Sequence, residues 1–174
     1  LMKRTSTEYQ DEIAQHNLEW NTELERLHRL RLDPISQGEV IGLVEAAGQP
    51  GDVVVTAAGS LPGDLLKMWR CRERLEYQLE YGNSVMGYEV PGGIGAALAA
   101  PDRHVTVMVG DGSFMMQPFD IAVAVQESVH MTIVLIDNHG FSSVGRVSEQ
   151  VGSEGFGCHY RARGESGWYD GPDL

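Results

Sequence analysis

The sequence predicts an α/β fold, a doubly wound parallel sheet with helices on both faces. Three observations lead there. Short runs rich in β-branched residues recur at 53–55, 104–109 and 131–136. Each is nearly continuous in apolarity, as strands covered on two faces are. Segments of helical composition precede the second run, at 91–100, and the third, at 118–129, and strands alternating with helices imply crossovers between parallel strands.

The elements follow in order. Ile13, Trp20, Leu24 and Leu27 stand at helical spacing among mixed charges, which predicts one amphipathic helix over 7–32. Thr7 and Gln10 suit a capping box at its start. Its polar face is not basic, so it reads as a linker docking on its own domain rather than a membrane-surface helix. Asp33 as N-cap, Pro34 at the first helical position and Gly48 just past the end predict a second helix. A buried strand at 53–55 is bounded by Gly51-Asp52 and Ala58-Gly59-Ser60, and 61–70 turns back as a helix. Residues 152–174 are glycine-rich and polar and read as loop. With no further apolar strand in them, the domain is expected to be incomplete at its C-terminal side. The expected division is a linker helix at 1–33 and a ligand-binding domain at 34–174.

Composition narrows the function classes. The chain of 174 residues, 42% hydrophobic and 22% charged, can close a core without metal or disulfide staples. No apolar run approaches the ~18 residues of a membrane span. The polar, acidic start lacks the apolar stretch of a signal peptide, so a cytoplasmic protein is expected. A formal charge of -12 argues against nucleic acid and anionic membranes as partners. Cys71 and Cys158 match neither a zinc-ligand spacing nor a disulfide framework and are expected as two thiols.

In open parallel sheets ligands bind beyond the carboxyl ends of the strands. Three such points stand out: Ala58-Gly59-Ser60, Gly110-Asp111-Gly112-Ser113, and Asp137-Asn138-His139-Gly140. Their glycines let backbone amides approach an anion, and a helix starting near Gln117 or Pro118 is expected to aim its positive end there. A diphosphate suits that setting. Asp111, the amide oxygen of Asn138 and a carbonyl from the Gly140 turn are hard oxygen donors, and magnesium takes a few protein oxygens completed by phosphate and water. Either motif alone is an ordinary turn. Together, at the exits of two strands with one helix between, they point to a site.

The pairing of Gly110-Asp111-Gly112-Ser113 with Asn138-His139-Gly140 resembles the signature of the thiamine diphosphate enzymes, the superfamily of acetolactate synthase and pyruvate decarboxylase. The resemblance implies that chain's fold for the present domain, with thiamine diphosphate and Mg2+ as cofactors. Asp111, Asn138 and the Gly140 carbonyl would hold the metal, and Ser60, Gly110, Gly112 and Ser113 would address the diphosphate. The stretch 82–95 resembles the segment in which a bulky apolar residue props the bent cofactor. Met86 takes that place, with backbone groups near Ser84 and Met86 on the aminopyrimidine. Ala57-Ala-Gly-Ser-Leu-Pro-Gly-Asp64, Met86-Gly-Tyr-Glu-Val-Pro-Gly-Gly93 and Val109-Gly-Asp-Gly-Ser-Phe-Met-Met116 are most similar to the trihydroxycyclohexane-dione hydrolases of inositol breakdown, and Tyr-Glu-Val-Pro-Gly-Gly is the distinguishing piece. The likeness runs from about Thr7 through Asp170.

What this implies is hydrolytic cleavage of a carbon–carbon bond in a cyclic 1,2-diketone, giving 5-deoxy-glucuronate, by a homo-oligomer. The family's pyrimidine-binding domain supplies a catalytic glutamate. Nothing in this chain takes that role, so a partner domain or subunit is implied and the chain alone is expected to be inactive. Glu89 is the one candidate for direct catalysis, with a substrate-facing or loop-bracing role the more ordinary reading. The alternatives are another thiamine diphosphate-dependent lyase or decarboxylase subunit, and a non-catalytic fragment lacking the pyrimidine-binding domain.

Other motifs have plainer explanations. Gly92-Gly93-Ile94-Gly95 lacks the third glycine of a dinucleotide fingerprint. His104, His130 and His159 show no ligand spacing. His139 lies inside the proposed metal loop, where a solvent-facing turn histidine is the ordinary reading. Trp168 and Tyr169 are expected as packing residues.

Overall fold

The computed structural model describes residues 5–153, 155–165 and 167–170, the last three of these by backbone alone. It divides into two compact units, one up to Ala47 and one from Gly48 onward. The first holds two helices, so the second helix groups with the first, whereas the sequence places a boundary at 33/34.

Helix α1 (Thr7–Leu27) is capped by Ser6, whose hydroxyl accepts from the Tyr9 amide at 3.3 Å. Gln10 reaches back to Thr5 Oγ1 at 2.9 Å, so the cap lies one residue upstream of the expected Thr7–Gln10 box. The helix stops short of residue 32, and Arg31 turns left-handed at φ 59°. Helix α2 (Gln37–Ala47) corrects a second expectation. Asp33 and Pro34 sit in a bend with a cis peptide between them. The cap is Ser36: its hydroxyl accepts from the Glu39 amide at 3.2 Å, and Glu39 Oε2 accepts from the Ser36 amide at 3.1 Å. This reciprocal box satisfies two orphan donors, and Glu39 also gathers the amides of Arg31 and Leu32. Leu24 and Ile41 are fully buried. His28 fills the space beside Gly42, where a Cβ would come 2.6 Å from the ring, and faces Glu45 at 3.9 Å.

The second unit is built on a parallel sheet of β1 (Val53–Thr56), β2 (Tyr77–Leu79), β3 (Val105–Gly110) and β4 (Thr132–Ile136), in the order β2-β1-β3-β4. The chain steps one way from β1 and the other way from β3, which puts the topological switch between them. Helices α3 (Leu61–Met68), α4 (Glu89–Ala99), α5 (Asp111–Phe114), α6 (Ile121–Gln126) and α7 (Ser142–Gln150) fill the connections. One core joins Val53, Val55, Val105 and Val107 to Val90 and Ile94 of α4. Val54 and Met108, which alternate with these, are as deeply buried, so both faces are covered. At Gly93 a Cβ would come 2.2 Å from Val107 Cγ2. Gly93 therefore serves close helix–strand packing inside α4, while Gly92 faces the Tyr88 ring and Gly95 open space.

Several expectations need correction. Strand β2 was not foreseen: its three residues are half-buried or exposed and carry no long apolar run. Strand β4 is an edge strand with Thr132 exposed and the rest half-buried, not a core strand. Residues 118–129 resolve into a 3₁₀ turn at Pro118–Asp120 and the six-residue α6. The helix beginning at the site is α5, which starts at Asp111 with Gly110 as N-cap. The glycine-rich tail is not all loop: β5 (Arg161–Gly164) and β6 (Gly167–Asp170) pair antiparallel. The packing expected of Trp168 and Tyr169 lies outside the described side chains. Neither Cys71 nor Cys158 forms a disulfide among the described residues. Among the described residues no helix is long and apolar enough to cross a membrane.

Candidate functional site

The register of β3 on β4 pairs Gly110 with Ile136. Two adjacent parallel strands thus end level, and Asp111 emerges beside Asp137 and Asn138. Asp111 is fully buried, and its Oδ2 accepts from the Gly140 amide at 2.7 Å. One terminal atom of the Asn138 amide lies 3.1 Å from the Gly140 carbonyl oxygen and 3.3 Å from Asp111 Oδ1, and the other lies 3.3 Å from Ser142 Oγ. Nitrogen and oxygen of an amide are distinguished by their partners. With nitrogen turned inward the amide donates to both oxygens. With oxygen inward, three oxygens of three different kinds converge, a donor set that suits a hard cation. No group of three His, Cys, Asp or Glu side chains forms a metal cage among the described residues. A hard cation here would be held by one carboxylate, one amide and one carbonyl, with phosphate or water completing its shell.

Burial pushes the Asp111 carboxyl above the usual carboxylate range; amides of Gly140 and Gly112 pull it down, and the hydrogen-bonded, negatively charged Asp137 pushes it up, with a net rise. A neighbouring cation would reverse that balance. Asp137 also accepts from the His139 amide at 2.9 Å, and the half-exposed His139 ring stands 3.7 Å from the same carboxylate. His139 is at φ 62°, in the left-handed region.

The loop carrying the carbonyl is braced from the far end of the chain. Cys158 O accepts from the Phe141 amide at 2.8 Å, and His139 O accepts from the Tyr160 amide at 2.9 Å, a bridge that pairs Gly140 with His159. Gly140 has φ +140°, and a Cβ there would meet Cys158 O at 2.3 Å. At Gly112 a Cβ would meet Gly140 O at 2.8 Å, so the glycine lets that carbonyl approach α5. Tyr160 packs edge-on against Phe141, with ring centroids 6.1 Å apart. Its hydroxyl is buried without a hydrogen-bond partner among the described residues. Burial, and then the charges of Asp111 and Asp137, push that phenol up. This brace was not legible in a tail that reads as loop.

Across the switch point, Ser60 precedes α3, with Gly59 at φ +91°, and makes no capping bond of its own. Ser84 is exposed at φ 49°, and Met86 is half-buried in the loop entering α4. Glu89 is fully buried. Its oxygens accept from the Ala58 amide at 3.1 Å, the Gly87 amide at 3.2 Å and the Ser113 hydroxyl at 2.8 and 2.7 Å. That hydroxyl in turn accepts from the Gly87 amide at 2.9 Å. Both Glu89 and the Ser113 side chain are committed to the protein interior, which leaves Ser113 its backbone for a ligand.

Residues 57–166 match the family described as thiamine pyrophosphate enzyme, C-terminal TPP binding domain. The chain belongs to that family. Two curated relatives carry the name 3D-(3,5/4)-trihydroxycyclohexane-1,2-dione hydrolase. The one from Geobacillus thermodenitrificans (strain NG80-2) is 38% identical over 191 residues, covering 95% of this chain and 30% of the relative. The one from Bacillus thuringiensis (strain Al Hakam) is 36% identical over 182 residues, covering 90% and 28%. The chain thus spans under a third of the length of these relatives. A solved structure, the Rhodococcus jostii RHA1 thiamine diphosphate-dependent 4-hydroxybenzoylformate decarboxylase, superposes with a TM-score of 0.66 over 72% of this chain and 24% of its own, at 21% identity. That likeness speaks to the fold of a thiamine pyrophosphate-binding domain.

Proposed function

We propose that this chain is the thiamine diphosphate- and Mg2+-binding portion of a hydrolase that cleaves a carbon–carbon bond of a cyclic 1,2-diketone. The observation that carries the proposal is the meeting of Asp111 Oδ1, the Asn138 amide and the Gly140 carbonyl within 3.3 Å at the ends of β3 and β4. Those three would hold the metal. Main-chain groups at Gly110, Gly112 and Ser113, with Ser60 after β1, would address the diphosphate. Met86 would support the cofactor, with backbone near Ser84 and Met86 on its aminopyrimidine. When bound, thiamine diphosphate supplies a nucleophilic carbon and an electron sink for cleavage beside a carbonyl, while the protein orients and excludes water.

The chain's own residues divide that work. Asp111 brings the one negative charge that meets the cation; Asn138 and Gly140 complete the grip without adding charge, so the phosphate oxygens can supply the rest. Glu89 is turned inward, with its oxygens committed to Ala58, Gly87 and Ser113, and the family resemblance implies that the acid activating the cofactor comes from a pyrimidine-binding domain or partner subunit. The name shared by the two relatives supports trihydroxycyclohexane-1,2-dione as substrate; 5-deoxy-glucuronate as product and a cytoplasmic homo-oligomer belong to the proposal and rest on the family resemblance alone.

The test is an assay of the assembled enzyme, this chain together with its pyrimidine-binding domain, on a cyclic 1,2-diketone and on pyruvate. Ring opening that requires both thiamine diphosphate and Mg2+ is expected. Decarboxylation of pyruvate with no ring opening would place the protein with the decarboxylases instead, and no turnover with no cofactor binding would mark a non-catalytic fragment.

A further inference from the structure

We infer that Glu89 is a positioning residue whose buried carboxylate locks three separate cofactor-facing segments into one cradle, an inference that rests on the thiamine diphosphate proposal. Burying a carboxylate is costly unless it is fully hydrogen-bonded. Here the partners come from three places: Ala58 after β1, Gly87 before α4 and Ser113 in α5. Each stands within two residues of a group proposed to touch the cofactor, namely Ser60, Met86 and Asp111. One side chain therefore sets the mutual spacing of segments that are far apart in sequence.

The chemistry of the pocket demands an acceptor with two oxygens. The Gly87 amide reaches both Ser113 Oγ at 2.9 Å and Glu89 Oε2 at 3.2 Å. Because the hydroxyl accepts from Gly87, its own proton is directed at Glu89. Every neighbour is thus a donor. A glutamine would turn an NH2 group toward the amide of Ala58 or of Gly87, and that donor–donor contact would push a segment away. On its other side, Gly87 is confined: a Cβ there would lie 2.8 Å from Gln117 Cγ and 3.1 Å from Met116 Cβ. The loop that carries Met86 is held between the carboxylate and the end of α5, with little freedom to absorb a shift. Glu89 touches no solvent, so its influence on a ligand passes through these bonds.

The experiment titrates thiamine diphosphate at saturating Mg2+ into the assembled protein by calorimetry, for the parent, Glu89→Gln, Ser113→Ala, the double variant and Asp111→Asn, alongside the melting temperature of each without cofactor. Supporting shells of this kind set affinity by ~10- to 100-fold. Glu89→Gln and Ser113→Ala should each weaken binding on that scale, and the double variant should be no more than a few-fold worse than the weaker single one, because they break the same bond. Should Glu89→Gln fail to fold, Ser113→Ala alone gives the same test. A lowered melting temperature with unchanged affinity, while Asp111→Asn loses the cofactor, would overturn the inference and leave Glu89 a fold brace. Full affinity in Asp111→Asn as well would overturn the thiamine diphosphate proposal itself.

Discussion

The amide of Gly140 holds Asp111 Oδ2 at 2.7 Å, while the carbonyl of the same glycine faces the Asn138 amide at 3.1 Å. One residue therefore fixes the carboxylate and offers a second oxygen to the same centre. Its φ of +140° and the 2.3 Å approach of a Cβ to Cys158 O exclude a side chain. Gly140→Ala should lose the Cys158–Phe141 bridge, cost ~1–3 kcal/mol of stability, and weaken Mg2+-dependent cofactor binding. A Mg2+ titration at fixed thiamine diphosphate, with a denaturant melt beside it, checks both; retention of full metal affinity would separate the carbonyl from the site.

Tyr160 offers a contrast between ring and hydroxyl. Its ring braces Phe141, while its buried hydroxyl has no partner among the described residues. Removing an unsatisfied buried polar atom removes its desolvation cost, so Tyr160→Phe should be neutral or stabilising by up to ~1 kcal/mol. Tyr160→Ala should instead destabilise and loosen the loop 138–141 that is proposed to hold the metal. A drop in melting temperature for the phenylalanine variant would show that the hydroxyl is bonded in solution.

Asp111 and the amide-bound carboxylates of Glu39 and Glu76 respond to pH in opposite directions. Asp111 is raised in the folded protein, so its proton is held more tightly in the native state than in the unfolded chain. Stability without metal should then fall as pH rises from the ordinary value of 3.8 through the folded value, and cation binding, which displaces the proton, should strengthen across the same window. Glu39 is lowered, chiefly by the Ser36 amide. At Glu76 burial pushes upward, but the amides of Gly51, Glu73 and Arg72 outweigh it and the net shift is down. Their stabilisation is present above the ordinary 4.5 and is lost as pH falls through their folded values. Melting curves and Mg2+ affinity recorded against pH should show the two trends; metal affinity independent of pH over the carboxylate range would remove Asp111 from the centre.

Gly93 tests the packing that sets the strand ends. With a Cβ only 2.2 Å from Val107 Cγ2, Gly93→Ala should destabilise by ~1–3 kcal/mol through overpacking. Val107→Ala should recover part of that loss in the double variant, a coupling expected of residues in contact. Additive losses would mean that α4 simply moves off the sheet.

The strands with apolar runs were legible in the sequence, because 53–55 and 105–109 leave no other way to hide their side chains; the run at 131–136 was legible as a strand but not as a half-buried edge. So was the meeting of Asp111 and Asn138, since both follow strands that pair directly. What was not legible depends on partners distant in sequence. The three residues of β2 are a strand because β1 offers an edge, and the segment at Cys158–Tyr160 takes its form from the backbone of His139 and Phe141. Ser36 and Glu39 overrode Asp33 and Pro34 because a reciprocal cap satisfies more donors than a lone one. Glu89 stood out as a carboxylate near the glycine motif, yet its burial by Ala58, Gly87 and Ser113 could be known only from the fold.

The central claim is that Asp111, Asn138 and Gly140 hold a divalent ion on the diphosphate. Manganese can stand for magnesium at such an oxygen site, and its free concentration is read directly by electron paramagnetic resonance. Titrating Mn2+ into the assembled protein with thiamine diphosphate should give tight binding that Asp111→Asn and Asn138→Ala each weaken by ~100-fold or more. Equal Mn2+ affinity in the parent and both variants would contradict the site.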